Sequence, residues 1–279
     1  MKCRVCNKTS NTRIYDIGYY CEHCLSISSF SHVTPEAYST GNYASYRISR
    51  FESFYIRINA FIRTHGFTHE NHKSWLDIGC GKGTLLSFLK KRFSVSGIEP
   101  ESSRAAIARS LIGKQNIYSS FEDITSEHDV ISAYHVLEHF DVPNDLFVFI
   151  AANLNLNGVA IIEVPNMQSI QAKLSRRKWP HWDKGIHRTH FSRKGISSLA
   201  DNNGLIIQKV RTFSLTEGVL GMLSTILCLE GLQVYSLLKK SVLMKLLIIP
   251  MLSLALVLEI IASLLKRGGV LRLQLIRCE

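Results

Sequence analysis

The residues with the most chemistry fall into three groups. The first is Cys3, Cys6, Cys21 and Cys24, spaced C-x2-C-x14-C-x2-C. Two residues between paired cysteines let both sulfurs of a tight turn reach one ion, and two such turns supply the four thiolates of a tetrahedral zinc. Four protein ligands leave no open position for a reactive water, so a zinc on these cysteines is expected to be structural. The second group is the run Asp77-Ile78-Gly79-Cys80-Gly81-Lys82-Gly83-Thr84. Glycines let a backbone turn sharply and approach a ligand closely. Glu99 follows about 20 residues on, where a carboxylate ending the next strand can accept both ribose hydroxyls of a nucleotide. The spacing is G-x-G-x-G, with Thr84 where a dinucleotide fingerprint has its third glycine, which argues against a nicotinamide dehydrogenase. The third group is His135, His139, His181, His187 and His190, five of the 11 histidines. Histidine titrates near neutral pH and is the usual base for a hydroxyl proton. His139 and His187 are the candidate bases or acceptor-positioning groups, with Glu138 beside them; for any one histidine a structural role is the default. Glu138 and His139 are adjacent in sequence, and two adjacent ligands by themselves make a poor divalent-cation site.

These groups need a frame, and the chain supplies an alternating one. Ser74–Ile78 reads as an apolar strand, 84–91 as a helix, 93–98 as a second strand and Ser102–Ile112 as a helix. Residues 116–118, 129–134 and 158–164 read as further strands, with a helix over 144–154. Strands alternating with helices predict an α/β fold around a mostly parallel sheet, whose ligands sit beyond the carboxyl ends of the strands. Every candidate outside the cysteine group lies near the end of such a strand or follows one.

The whole chain fits this class. It has 279 residues, 46% hydrophobic and 20% charged, which excludes a disordered chain, and 17 glycines with six prolines exclude collagen-like material. The net charge of +11 favours anionic partners without selecting one. The N-terminus has no apolar h-region, so the expected location is cytoplasmic, where clustered thiols stay reduced and bind metal.

The run Trp75 to Thr84 with Glu99 resembles the class I S-adenosylmethionine-dependent methyltransferases. The resemblance extends to Phe121-Glu122-Asp123, where that family contacts adenine, and to the strand from Asp129 that ends His135-Val136-Leu137-Glu138-His139. It also takes in Gly158 to Asn166, ending in Pro165-Asn166. The stretch Asp183-Lys-Gly-Ile-His187-Arg-Thr-His190-Phe191-Ser192 is similar to a subfamily pattern D-x-P-R-H-x-x-H-F-[TS], departing from it at Gly185 and Ile186. The family implies a Rossmann-like seven-stranded sheet with an antiparallel last strand. It implies cofactor contacts from Asp77, Gly79, Cys80, Gly81, Gly83, Glu99, Phe121, Glu122 and His135. A cysteine ribbon, a P-x-x-Y stretch (Pro35 to Tyr38) and this domain together resemble bacterial enzymes associated with sugar and surface-polysaccharide pathways, which implies a small-molecule or lipid-linked acceptor.

The expected divisions are a zinc ribbon at 1–30, a connecting helical segment at 31–70, the methyltransferase domain at 71–214, an apolar insertion at 215–267 and the last strand at 268–279. In the connecting segment Phe51, Phe54, Tyr55, Ile58 and Phe61 have helical spacing and predict an amphipathic helix packed on the next domain. Between 171 and 195 lie eight Lys and Arg residues with Trp179 and Trp182. They read as a solvated basic loop, a mouth for an anionic head group, or a lipid-facing patch. Residues 246–258 carry no charge. Both flanking strands belong to one sheet, so the insertion must leave and return on one side. It is read as a helical hairpin, 218–238 and 243–265, dipping into the inner leaflet, with Pro250 suiting a first helical turn. A homodimer interface or a lid is the second reading and a spanning pair the third; Glu259 would be costly at mid-bilayer. The rival function is a zinc-ribbon nucleic-acid-binding protein with an RNA-directed or inactive methyltransferase-like domain. The ribbon is only mildly basic and Phe30 is an isolated aromatic, which weighs against nucleic acid.

Overall fold

The structure is a computed structural model that describes residues 2–9, 12–14, 17–30, 50–182, 186–229 and 242–278. Residues 35–38, 183–185 and 230–241, and the side chains of Phe51, Phe54 and Tyr55, lie outside the described residues.

Three short antiparallel strands, β1 (Thr12–Ile14), β2 (Gly18–Tyr20) and β3 (Ile27–Ser29), accompany the cysteines. The helix α1 (Arg50–Thr64) precedes the alternating part. That part comprises β4 (Ser74–Ile78), α2 (Thr84–Leu89), β5 (Ser94–Ile98), α3 (Ser102–Ile112), β6 (Ile117–Tyr118), β7 (His128–Tyr134), α4 (Asn144–Asn153) and β8 (Leu154–Pro165). There follow α5 (Ile170–Ser175), β9 (Thr189–His190), α6 (Arg193–Asn202), β10 (Leu205–Arg211), α7 (Glu217–Ile226), α8 (Val242–Leu264) and β11 (Val270–Arg277). The large sheet has the order β10-β11-β8-β7-β4-β5-β6. Strands β8, β7, β4, β5 and β6 are mutually parallel, and β11 is antiparallel to both of its neighbours. This is the expected seven-stranded, mostly parallel α/β sheet.

The central strands bury both faces, the pattern that helices on both sides of a parallel sheet require. Trp75, Val130 and Ile161 pack on one face with Leu86 of α2, Ala105 and Ala108 of α3, and Ala60 of α1. Leu76, Ile131 and Ile162, one residue along, pack on the other with Leu146, Phe147 and Ile150 of α4 and Ile196 and Leu199 of α6. In α1, Ala60 is buried whereas Phe61, expected on the packed face, is 56% exposed and stacks on His65 at 4.5 Å.

The ribbon is not a separate bead. β3 pairs with β9, Ile27 opposite His190 and Ser28 opposite Thr189, so the small sheet has the order β1-β2-β3-β9. Trp179 and Trp182 fill this junction with Ile17 and Ile27. The tryptophans are 2% and 8% exposed, which corrects their reading as lipid-facing: burying two large rings against the ribbon removes more apolar surface from water than leaving them at an interface.

The insertion is helical, but its details differ from expectation. α7 stops at Ile226, whereas α8 covers the expected 243–265 to within one residue at each end, with Pro250 in its interior rather than in a first turn. Pro250 lies on an exposed side of α8, where its missing amide leaves a carbonyl open to water. Glu259 is fully buried, its Oε1 accepting from the Gly269 N–H at 2.8 Å; burial pushes its carboxyl up to about 7. It therefore faces the protein, not the outer side of α8. Among the described residues no helix is long and apolar enough to cross a membrane.

One charged cluster lies inside the sheet. Glu163 of β8 is fully buried and ion-paired to Arg272 of β11 and, at 3.4 Å, to Arg63 of α1. Arg272 also donates to the Ile62 carbonyl at 3.0 Å. Removing one partner of a buried pair leaves an uncompensated charge, so Arg272→Met is expected to cost about 3 kcal/mol of stability. Urea denaturation checks this; a loss below about 1 kcal/mol would mean that the other partners neutralise Glu163 unaided.

Candidate active site

The turn after β4 is shaped by backbone geometry. Gly79 has φ +66°, and a Cβ there would lie 2.5 Å from Val136 Cγ2. Gly83 has φ +72°, with Ala108 of α3 at 3.0 Å from the same imagined atom. Only glycine meets both demands without strain. The turn is clamped to the end of β5: the Cys80 N–H donates to the Ile98 carbonyl at 3.0 Å and the Gly81 N–H to Glu99 Oε2 at 2.8 Å. Glu99 Oε1 accepts from the Glu101 N–H at 3.0 Å. Two backbone donors thus fix the orientation of this buried carboxylate.

A cavity of about 920 Å³ opens beyond the carboxyl ends of β4, β5 and β7. Six of the residues singled out in the sequence line it: Gly79, Glu99, Phe121, Glu122, His135 and His139. Phe121 stacks on Phe149 with centroids 4.3 Å apart, which holds its ring at the wall. Asp77, Cys80, Gly81 and Gly83 do not line the cavity. Asp77 lies behind the turn, accepting from Ser132 Oγ at 2.6 Å, and burial pushes its carboxyl up to about 7. The Cys80 side chain fills the space left by Gly97, where a Cβ would meet its sulfur at 2.7 Å. Arg104, Ser119, Ser120, Phe140 and Arg188 line the cavity without having been singled out as site residues. Their signal was positional: the serines follow β6, and Arg188 follows His187.

The histidine end of the cavity is polar and mostly buried. His135 closes β7 with φ +57°, a left-handed conformation uncommon outside glycine. Its N–H donates to the Glu163 carbonyl at 2.8 Å, its Nε2 faces Glu163 Oε1 at 3.1 Å, and its Nδ1 faces Glu138 Oε1 at 3.3 Å. Burial alone would push this imidazole down, but hydrogen bonds and charge from Glu138 and Glu163 outweigh it and hold it at about 10. Burial likewise favours neutral Glu138, yet His135 outweighs it and holds the carboxyl down at about 2.

Glu138 and His187 do not line the cavity; they lie close to His139, which does. One ligand atom from each of the three falls within 4.8 Å of the others, close enough to share a cation or pass a proton. The rings of His139 and His187 are 4.9 Å apart. His139 Nδ1 donates to the Ile186 carbonyl at 3.3 Å and His187 Nδ1 to the His181 carbonyl at 2.9 Å. Burial pushes His139 below the usual imidazole value, so it is neutral near pH 7. Burial takes His181 down to about 4 and His190 to about 3, keeping both uncharged.

The segment carrying His187 is held by the ribbon. Ser29 Oγ donates to the His187 carbonyl at 2.7 Å, and Arg4 Nη1 donates to the Arg188 carbonyl at 2.7 Å. In the ribbon, Cys3 and Cys24 sulfurs are 3.5 Å apart, as are those of Cys6 and Cys21, and all four lie within 4.8 Å of one another.

A family model described as a methyltransferase domain matches residues 43–210. The chain belongs to this methyltransferase family. No curated protein matches it. Among solved structures it is similar to the plantazolicin methyltransferase BpumL in complex with SAH, at 18% identity over 81% of this chain and 85% of that one, with a TM-score of 0.50. The cyclopropane synthase MmaA2 from Mycobacterium tuberculosis matches at 12% identity over 80% and 83%, with a TM-score of 0.50. The mitomycin 7-O-methyltransferase MmcR matches at 13% identity over 82% of this chain and 55% of that one, with a TM-score of 0.50. At these identities the likeness is one of fold.

In this methyltransferase the His135 cation is itself a stability element. Its contribution is complete below the ordinary imidazole value of 6.5 and is lost as pH rises toward 10. Thermal melting from pH 6.5 to 10 should show a fall in wild-type stability that His135→Gln lacks; parallel curves for the two proteins would contradict the assignment.

Proposed function

We propose that the chain transfers a methyl group from S-adenosylmethionine to a hydroxyl-bearing small-molecule or lipid-linked acceptor, with a sugar of surface-polysaccharide assembly as the expected class. The observation that carries this reading is Glu99, oriented by two backbone amides in the same cavity as Gly79 and Phe121. Family membership supports methyl transfer, and a fold neighbour of similar architecture was solved with SAH. In this reading Glu99 takes the ribose hydroxyls, the Gly79 turn admits the backbone close to the ligand, and Phe121 packs against the base.

The bound sulfonium supplies an already activated methyl group, so the protein's work is alignment and exclusion of water. His139 is the general base: it is neutral near pH 7 and accepts the acceptor's proton at Nε2. Glu138, kept ionised by His135, stabilises the imidazolium that results. His187 positions the acceptor from the neighbouring ring.

Zinc on Cys3, Cys6, Cys21 and Cys24 is the second part of the proposal. Four sulfurs at about 2.3 Å from a tetrahedral zinc lie roughly 3.8 Å apart. The observed spacing and the all-thiolate donor set fit that arrangement. The metal would hold the ribbon, and through Ser29 and Arg4 the His187 segment.

Two measurements test the reading. Calorimetry should detect SAH binding to the wild type, weakened about 10- to 100-fold by Glu99→Gln through loss of charge-assisted hydrogen bonds; no binding, or equal affinity in the variant, would refute it. Elemental analysis should find one zinc per chain. Its chelation should raise hydrogen exchange across residues 186–192, whereas unchanged exchange would disconnect the ribbon from the site.

A further inference from the structure

We propose that the outer face of α8 rests on an anionic lipid surface. α8 is apolar on all sides, and such a helix is stable in water only if both faces are covered. Its inner side is covered: Ile248, Ala255 and Ala262 pack with Val219, Met222 and Leu223 of α7. Its outer side carries Ile249, Leu254, Val257, Ile261 and Leu264, each between 47 and 78% exposed. These residues form one stripe about 22 Å long. Continuous apolar stripes of this kind mark a docking surface. The one acid of the helix, Glu259, is turned inward onto the Gly269 N–H, so the stripe carries no negative charge.

Charge selects the occupant. Lys245 stands near the start of α8, and Lys266 and Arg267 stand just past its end. Apolar side chains flanked by cations match a bilayer surface with anionic head groups. A second copy fits worse, because a two-fold pairing of the stripe sets the cationic ends of one helix against those of the other, whether parallel or antiparallel. The helix lies in the plane of the surface, since no described helix is fit to cross a membrane.

The location relates this surface to the site. β11 starts at Val270 opposite Pro165, the carboxyl end of β8, so α7 and α8 stand at the same end of the sheet as the cavity. A lipid-anchored acceptor would bring its head group to that end of the sheet. The docking inference stands apart from the methyl-transfer reading, because vesicle binding is measured without cofactor and either can fail alone.

The test uses the full chain with vesicles of phosphatidylcholine alone and of phosphatidylcholine mixed with phosphatidylglycerol. Sedimentation should show binding to the mixed vesicles, weakened by salt and nearly absent with neutral ones. Leu254→Glu with Leu264→Glu should weaken it by at least about tenfold, since each leucine leaves the lipid. Both positions are exposed, so circular dichroism and SAH affinity of this variant should match the wild type. Lys266→Glu with Arg267→Glu should weaken binding to the anionic vesicles alone. The proposal is overturned by absence of vesicle binding, by equal binding to neutral vesicles, or by a wild-type dimer that the double leucine variant converts to monomer.

Discussion

A carboxylate buried among apolar strands must be neutralised where it stands, and much of this protein is arranged around that requirement at Glu163. Its partners come from three distant parts of the chain: Arg63 from the helix before the sheet, His135 from the end of β7, and Arg272 from the strand that returns after the insertion. Each can reach Glu163 only when α1, β7 and β11 are docked together. Neutralisation of Glu163 and docking of these three elements therefore come together. The buried charge also explains the left-handed backbone of His135, which lets one ring face two carboxylates while its amide is satisfied by β8.

From this anchor the electrostatics of the histidine end follow in order. Glu163 and Glu138 hold His135 as a cation, and His135 holds Glu138 as an anion. A fixed anion beside neutral His139 would suit the general base proposed above, because an imidazolium formed there would meet a charge already in place. The surrounding His181 and His190 stay uncharged through burial and add no competing cation. One residue type thus fills opposite roles through its environment alone.

The ribbon belongs to this constellation. Through the β3–β9 pairing and the buried tryptophans, the segment carrying His187 has one side on the methyltransferase sheet and the other on the cysteine module. A short module with four clustered thiols cannot build a core by itself, and here it shares one with its neighbour. The His187 segment and the cysteine module therefore pack as one unit.

The alternating β/α frame was legible because parallel strands buried on both faces leave apolar runs and glycine turns leave punctuation, both local signals. Ser74–Ile78 and Ser102–Ile112 match residue for residue. Glu99 was legible for the same reason, since its backbone donors Gly81 and Glu101 lie within or just beyond the strand-helix-strand unit that it closes. What the sequence could not disclose were contacts whose partners are far along the chain. The buried Trp179 and Trp182 looked interfacial until the ribbon covered them. Pro250 looked like a helix start because local propensity cannot register the packing that carries α8 through it. The inward-facing side chains of Asp77 and Cys80, one on Ser132 and one in the space left by Gly97, also depend on residues outside the turn. By itself the sequence determined the fold class and the candidate nucleotide turn, which depend on periodicity and backbone freedom. Only the tertiary structure decided which histidine is charged, which is neutral and which way Glu259 faces, because burial and ion pairing depend on neighbours that only folding brings together.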